Sequence, residues 1–178
     1  MKRKNKIKRT NCRCEKCRAG CEILSGYLLP DDLQKYRAAT AADGQTVWQW
    51  AGKNLLASQG ATVAQHGPRG FETFRIPSLV PATRKNGHCV HYRDGLCAVH
   101  TGSPTGCAMF SACALGAKAA KQDALANALQ SGLAAFWADD SPTPAGGLYK
   151  ALWRHLWNTG HRRENVAELV EEYAAGVV

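Results

Sequence analysis

The spacing of hydrophobic residues predicts that most of the chain is helical. In five segments, apolar side chains recur at intervals of three and four residues, which places them on one face of a helix. These segments cover residues 29–39, 46–58, 117–137, 147–160 and 163–175. Pro30 suits the first turn of the first helix, and Gly60 and Gly160 are typical of the ends of the second and fourth. A shorter helix after Pro104 is expected to carry Cys107 and Cys113.

Two stretches carry strand signals instead. Residues 71–76 alternate weakly between polar and apolar types and stop at Pro77, which indicates a short strand. Residues 89–100 contain branched and aromatic residues on both sides of Asp94-Gly95, a dipeptide typical of a β-hairpin turn. The expected fold is therefore mainly α with a small β-hairpin element, in which the cysteines form a metal-centred domain with a helical C-terminal part.

Length and charge refine this picture. The chain has 178 residues and no long apolar run, so it suits one ordinary domain and excludes a membrane-spanning helix. Nine basic side chains and one acidic one fall within the first twenty residues, whereas the rest of the chain is close to neutral. We interpret residues 1–11 as a basic flexible arm and residues 12–178 as a single cysteine-cluster domain. The arm either keeps the chain soluble or contacts the phosphates of a nucleic acid.

The cysteines are the strongest indication of function in the sequence. There are eight, at positions 12, 14, 17, 21, 89, 97, 107 and 113. The basic N-terminus is not followed by the apolar stretch of a secretory signal, so a cytoplasmic location is expected. Thiols stay reduced there, and metal ligands are then a better explanation of so many cysteines than disulfides are.

The N-terminal group has metal-ligand spacing. Cys14 and Cys17 form a C-x-x-C pair, which can turn two sulfurs toward one ion, and Cys21 follows in the same predicted cysteine-dense loop, residues 12–21. Thiolates suit zinc and iron–sulfur clusters. We expect these three cysteines to contact one site.

The second group comprises Cys89, Cys97, Cys107 and Cys113. A two-residue Asp94-Gly95 turn would place Cys89 and Cys97 on opposite faces of the hairpin. A three-residue turn that includes Arg93 shifts the register by one, so that both cysteines and His91 share a face. We favour the three-residue turn. The alternative to a metal-binding role is that Cys97 is a small buried apolar residue.

Histidines near the second group are further candidates. His91 and His100 can each complete a site of three cysteines and one histidine, and the alternative is that they are ordinary surface residues of the hairpin.

These cysteine motifs resemble the YkgJ-like cysteine-cluster family, a zinc- or iron-chelating domain named for a C-x-x-C-x-x-C-C motif. Five segments carry the resemblance: Cys14–Cys21, Gly26–Asp32, Cys89–Tyr92, Asp94–His100 and Pro104–Phe110. The chain departs from the family pattern at Gly20, which replaces one cysteine of an adjacent pair, and at Ser103 and Ala108, which replace arginines.

The resemblance implies one chelating site formed jointly by both groups. The cysteines that match by position are Cys14, Cys17, Cys21, Cys89, Cys97 and Cys107. Cys12 and Cys113 have no counterpart in the family pattern. The same domain occurs in proteins similar to flagellin lysine N-methylase, which implies an iron–sulfur cluster as well as zinc, and a possible partner enzyme.

Three functions follow from the sequence. The first is a metal-chelating protein with a structural, redox or accessory role. The alternative is a nucleic-acid-binding zinc protein that uses the basic arm. A methyl-transfer enzyme is the least favoured, because the chain lacks a glycine-rich strand–helix signature for the methyl donor. Whether the chain is an enzyme is left open.

Overall fold

The computed structural model describes residues 14–23, 25–60, 62–67, 70–109, 111–139 and 144–163. The helices within these ranges are α1 (Glu15–Glu22), α2 (Asp32–Thr40), α3 (Val47–Asn54), α4 (Thr105–Met109), α5 (Ala117–Ala138) and α6 (Pro144–Asn158). A single 3₁₀ turn, His100–Gly102, precedes α4.

The strands are short and lie mostly in the middle of the chain. They are β1 (Leu55–Ser58), β2 (Thr62–Gly67), β3 (Gly70–Arg75), β4 (Ser78–Pro81), β5 (Tyr92–Arg93), β6 (Leu96–Cys97) and β7 (Arg162–Arg163). The expectation of a mainly α fold with a small β element is confirmed. The strand predicted over residues 71–76 corresponds to β3, which pairs with β2 in antiparallel fashion.

The predicted helix over residues 46–58 is wrong in its second half. A capping box between Thr46 and Gln49 begins α3, but the helix ends at Asn54 and the chain continues as β1. Three of the four β1 residues are buried, so their apolar character reflects a strand between two neighbours. A short apolar run of this kind does not distinguish a buried strand from a helix.

Strand β1 is the centre of a three-stranded sheet. It pairs antiparallel with β4, with Leu55 opposite Pro81, and parallel with β7, with Ser58 opposite Arg163. Arg163 is therefore part of a strand and does not begin the predicted C-terminal helix. The rest of that predicted helix lies outside the described residues.

An apolar core lies between this sheet and the helices. Its fully buried large side chains include Tyr36, Trp50, Leu79 and Tyr149. The Tyr149 hydroxyl accepts a hydrogen bond from the Leu79 N–H at 2.9 Å and donates one to the Leu28 carbonyl at 2.8 Å. Helix α6 is thereby tied to β4 and to the segment that follows α1. Within the described ranges, no helix is both long and apolar enough to cross a bilayer.

The hairpin has the two-residue turn. Tyr92 pairs with Cys97 and Arg93 with Leu96, so only Asp94 and Gly95 form the turn. Their φ angles are +50° and +76°, the left-handed conformation that a tight hairpin turn requires at both positions. The favoured three-residue turn is therefore wrong. Cys89 lies before the hairpin, in an isolated bridge with Thr83, so the facing rule for paired strands does not apply to it.

Candidate metal centre

Helix α1 carries three cysteines along one side. Cys14 is the N-cap residue and is exposed, Cys17 is buried one turn later, and Cys21 is half-buried near the end. Spacings of three and four residues place their side chains above one another on the helix surface. The predicted cysteine-dense loop is thus mostly a short helix.

Two of these cysteines meet Cys113. The Sγ atom of Cys113 lies 3.0 Å from that of Cys14 and 3.7 Å from that of Cys17. All three sulfurs lie within 4.8 Å of one another, so this triad could hold a metal ion. Two thiolates bound tetrahedrally to zinc at about 2.3 Å lie about 3.8 Å apart, close to the Cys17–Cys113 separation.

Cys113 is the ligand candidate that sequence reasoning did not select. It lies in the turn between α4 and α5, exposed, and belongs to no spaced motif. Its pairing with α1 spans almost a hundred residues, which local spacing cannot indicate. Cys21, which was expected to share a site with Cys14 and Cys17, is not a member of the triad. Cys12 lies outside the described residues.

The remaining four cysteines come from elements that are tied together by their backbones. Helix α1 packs against β6, which ends at Cys97. The Cys89 N–H donates a hydrogen bond to the Glu22 carbonyl at 2.6 Å, next to Cys21. The Gly26 N–H donates to the Sγ atom of Cys107 at 3.1 Å. Cys21, Cys89, Cys97 and Cys107 therefore belong to one region of the molecule.

Electrostatic coupling among these thiols agrees with that arrangement. Burial raises the pKa of Cys107, the hydrogen bond from Gly26 opposes this, and the neighbouring Cys89, Cys97 and Cys21 raise it further. Burial likewise raises the pKa of Cys89, while backbone N–H groups of His91 and Tyr92 lower it. The pKa of Cys21 is raised by burial and then by Cys97 and Cys17. The thiol of Cys21 is thus influenced both by Cys17 on the same helix and by Cys97 at the hairpin.

His91 is engaged with a buried tyrosine. Its Nε2 atom lies 2.6 Å from the Tyr36 hydroxyl, which donates a hydrogen bond to the Asn54 carbonyl. Burial, and then the nearby Arg93 and Arg84, lower the pKa of His91 to about 4. The ring is therefore neutral at neutral pH, and its Nε2 is already used by Tyr36.

Arg163 brings a positive charge to the second group. Its side chain is only 7% exposed, and its Nη2 donates to the Ile23 carbonyl at 3.4 Å. Its Nε atom is buried and has no hydrogen-bond partner among the described residues. Burial lowers the pKa of Arg163, and the nearby Cys89 opposes that effect. Sequence reasoning did not select this residue, because it has no motif.

Comparisons of the chain with protein-family models, with curated proteins and with solved structures found no match. The cysteines themselves are therefore the evidence for function.

Proposed function

We propose that this chain is a metal-chelating protein that binds zinc or an iron–sulfur cluster through cysteine thiolates. The observation that supports it best is the triad, in which three sulfurs from α1 and the turn before α5 lie within 4.8 Å of one another. Metal binding there would be structural, redox-active or accessory to a partner enzyme. The resemblance to the YkgJ-like family supports the same chemistry, and we propose membership of that family on those motifs.

The donor set restricts the metal. Sulfur ligands select zinc, copper(I) and iron–sulfur clusters over magnesium or calcium, which need oxygen donors. Three thiolates leave a fourth tetrahedral position for another ligand. Because Cys14 and Cys113 are exposed, that position is accessible from solvent.

Anaerobic purification followed by metal and acid-labile sulfide analysis tests the proposal. An iron–sulfur cluster gives iron, sulfide and a brown colour, whereas zinc gives a colourless protein. Cys17→Ser and Cys113→Ser should both lower the metal content, and Lys16→Ala, an exposed change on the same helix, should not. Metal content unchanged in both cysteine variants would contradict the proposed site.

The alternative of nucleic-acid binding depends on residues 1–11, which lie outside the described residues. It stays a prediction from the sequence, tested by the salt dependence of binding with and without that segment.

A further inference from the structure

We infer that Cys14 and Cys113 are a site of reversible oxidation, at which a peroxide converts the two thiols into a disulfide and thereby releases a metal ion held at the triad. The inference concerns the regulation of the proposed metal site, so the release of metal rests on the proposed function. The disulfide does not rest on it, because its formation needs only the two thiols and the oxidant.

The two sulfurs are already in contact. The Sγ atoms of Cys14 and Cys113 lie 3.0 Å apart, and a disulfide bond is about 2.05 Å long, so they have to approach by about 1 Å. Cys14 is the N-cap residue of α1, and Cys113 lies in a turn closed by a hydrogen bond from the Ala114 N–H to the Ser111 carbonyl at 3.1 Å. Because neither residue lies in the interior of a helix, a change of side-chain torsion can close this gap without breaking one.

Exposure favours the same pair over the third member of the triad. Cys14 and Cys113 are both exposed, so an oxidant in solution reaches them, whereas Cys17 is only 4% exposed. Oxidation of cysteines follows the accessibility of the sulfur. Cys17 also lies farther from Cys113, at 3.7 Å. We therefore expect Cys14 to pair with Cys113 and not with Cys17, its neighbour in the C-x-x-C motif.

The reaction balances with one peroxide molecule. The sulfur of one cysteine attacks a peroxide oxygen, the O–O bond breaks, and the products are a sulfenic acid and water. The sulfur of the other cysteine attacks the sulfenic sulfur, the S–O bond breaks, and a second water leaves as the S–S bond forms. Two thiols are oxidised by two electrons, and hydrogen peroxide is reduced to two waters. A dithiol reductant reverses the change by thiol–disulfide exchange.

The disulfide and the metal compete for the same sulfurs. The thiolate is the metal ligand, so a disulfide of Cys14 and Cys113 leaves Cys17 as the one triad thiolate, too few to hold an ion. The new bond joins positions 99 residues apart, from the start of α1 to the turn before α5. Oxidation would therefore remove the metal while keeping α1 attached to that turn.

Peptide mapping of the oxidised full chain tests this inference. Zinc-reconstituted protein is treated with a small excess of hydrogen peroxide, and released zinc is followed with a chromogenic chelator. Remaining thiols are then alkylated. Trypsin cuts after Arg13 and Lys16, so Cys12, Cys14 and Cys17 fall on three different peptides, and fragmentation of the linked peptide identifies Cys113. We expect a Cys14–Cys113 link, two hydrogens lighter than the reduced pair, and zinc release in step with it. A dithiol followed by fresh zinc should restore the starting state.

Two variants separate the disulfide from the metal. Cys17→Ser should still form the Cys14–Cys113 link even though it holds less zinc, and Cys113→Ser should form no such link. A link from Cys14 to Cys17 in the wild type, or thiols that stay fully alkylatable while peroxide is consumed, would overturn the inference. Wild-type chain that forms the Cys14–Cys113 link but never binds zinc would uphold the oxidation site and contradict the proposed function. Zinc that stays bound after the link has formed would contradict the release of metal from the triad.

Discussion

At the scale of single residues, Gly26 and Gly106 determine where Cys107 lies, because their backbones approach each other closely. A Cβ atom added to Gly106 would lie 2.4 Å from the Tyr27 backbone nitrogen, so the two segments would have to separate. We expect Gly106→Ala to cost about 1–3 kcal/mol of unfolding free energy, as overpacking typically does, and to lower zinc retention.

The control is Gly132→Ala in α5, where a Cβ atom meets nothing within 4 Å. Alanine is the better helix former there, so this variant should be stabilised by up to about 1 kcal/mol. Thermal unfolding measures the stability of Gly106→Ala and Gly132→Ala, and zinc analysis measures their metal content. Wild-type stability and metal content in Gly106→Ala would refute the close-approach argument.

Arg163 gives a second prediction at this scale. If it balances the charge of a metal-bound Cys89 thiolate, Arg163→Gln should weaken zinc binding by about 10–100-fold, the usual loss when a partner outside the ligand set is removed. Arg162→Gln is the matched control, because Arg162 is exposed and lies over the Trp157 ring, 5.5 Å from its centre. Competition with a chromogenic chelator measures both affinities. Equal affinities in the two variants would show that Arg163 has no role in zinc binding.

The chemical type of the candidate site residues could be predicted from the sequence, but which of them contact one another could not. The density of cysteines in a chain without a secretory signal indicates metal ligands, and Cys14 and Cys17 follow from their spacing. Cys113 becomes a partner only because the turn before α5 returns to α1. Arg163 was not predicted for a related reason, since a basic residue is expected to lie on the surface until the strand that buries it is known.

At the scale of elements, the two errors have different sources. The hydrophobic period fits a helix across residues 46–58, but residues 55–58 pair with β4, and Ala57 and Ser58 also pair with β7. Long-range pairing therefore overrides a local pattern. In the hairpin the local signal was the correct one, because the Asp94-Gly95 dipeptide itself favours the two-residue turn. The three-residue turn was preferred only because it would have placed Cys89 and Cys97 on one face.

The link between α6 and the sheet gives a prediction about elements. Tyr149→Phe would leave the buried Leu79 N–H without its partner, which should cost about 1–3 kcal/mol of unfolding free energy. Tyr27→Phe is the control, because the Tyr27 hydroxyl is buried without a hydrogen-bond partner in the described structure. Removing that hydroxyl should leave stability unchanged or raise it. Denaturant unfolding of the pair measures the difference, and an equal loss in both would contradict the role given to Tyr149.

At the scale of the whole molecule, the cysteines and the apolar core occupy different parts of the chain. The core is formed by α2, α3, β1, β4, α5 and α6 and is dominated by large apolar and aromatic side chains. The cysteines among the described residues lie at α1, at or just before the hairpin, on α4 and in the turn that follows it. A metal bound there would organise short elements that bury little apolar surface of their own, such as α1, in which Cys17 and Gly20 are the buried residues.

This division predicts a local response to metal removal. A metal ion that joins distant segments stabilises the folded state, and elements with few buried apolar contacts open at the lowest free energy. Chelation should therefore increase hydrogen exchange in α1, in the hairpin and in α4 together, while α3, β1 and α6 stay protected. Exchange measured by mass spectrometry, with and without chelator, resolves these segments.

Two other hydrogen-exchange results would each contradict a different part of this prediction. Loss of protection in α3, β1 and α6 along with α1 would mean that the metal organises the entire fold, and the apolar core would not suffice without it. Increased exchange in α1 alone, with residues 89–107 unchanged, would mean that no metal joins the hairpin and α4 to α1. The triad would then be the metal site, and Cys21, Cys89, Cys97 and Cys107 would be packing residues whose buried thiols stay protonated.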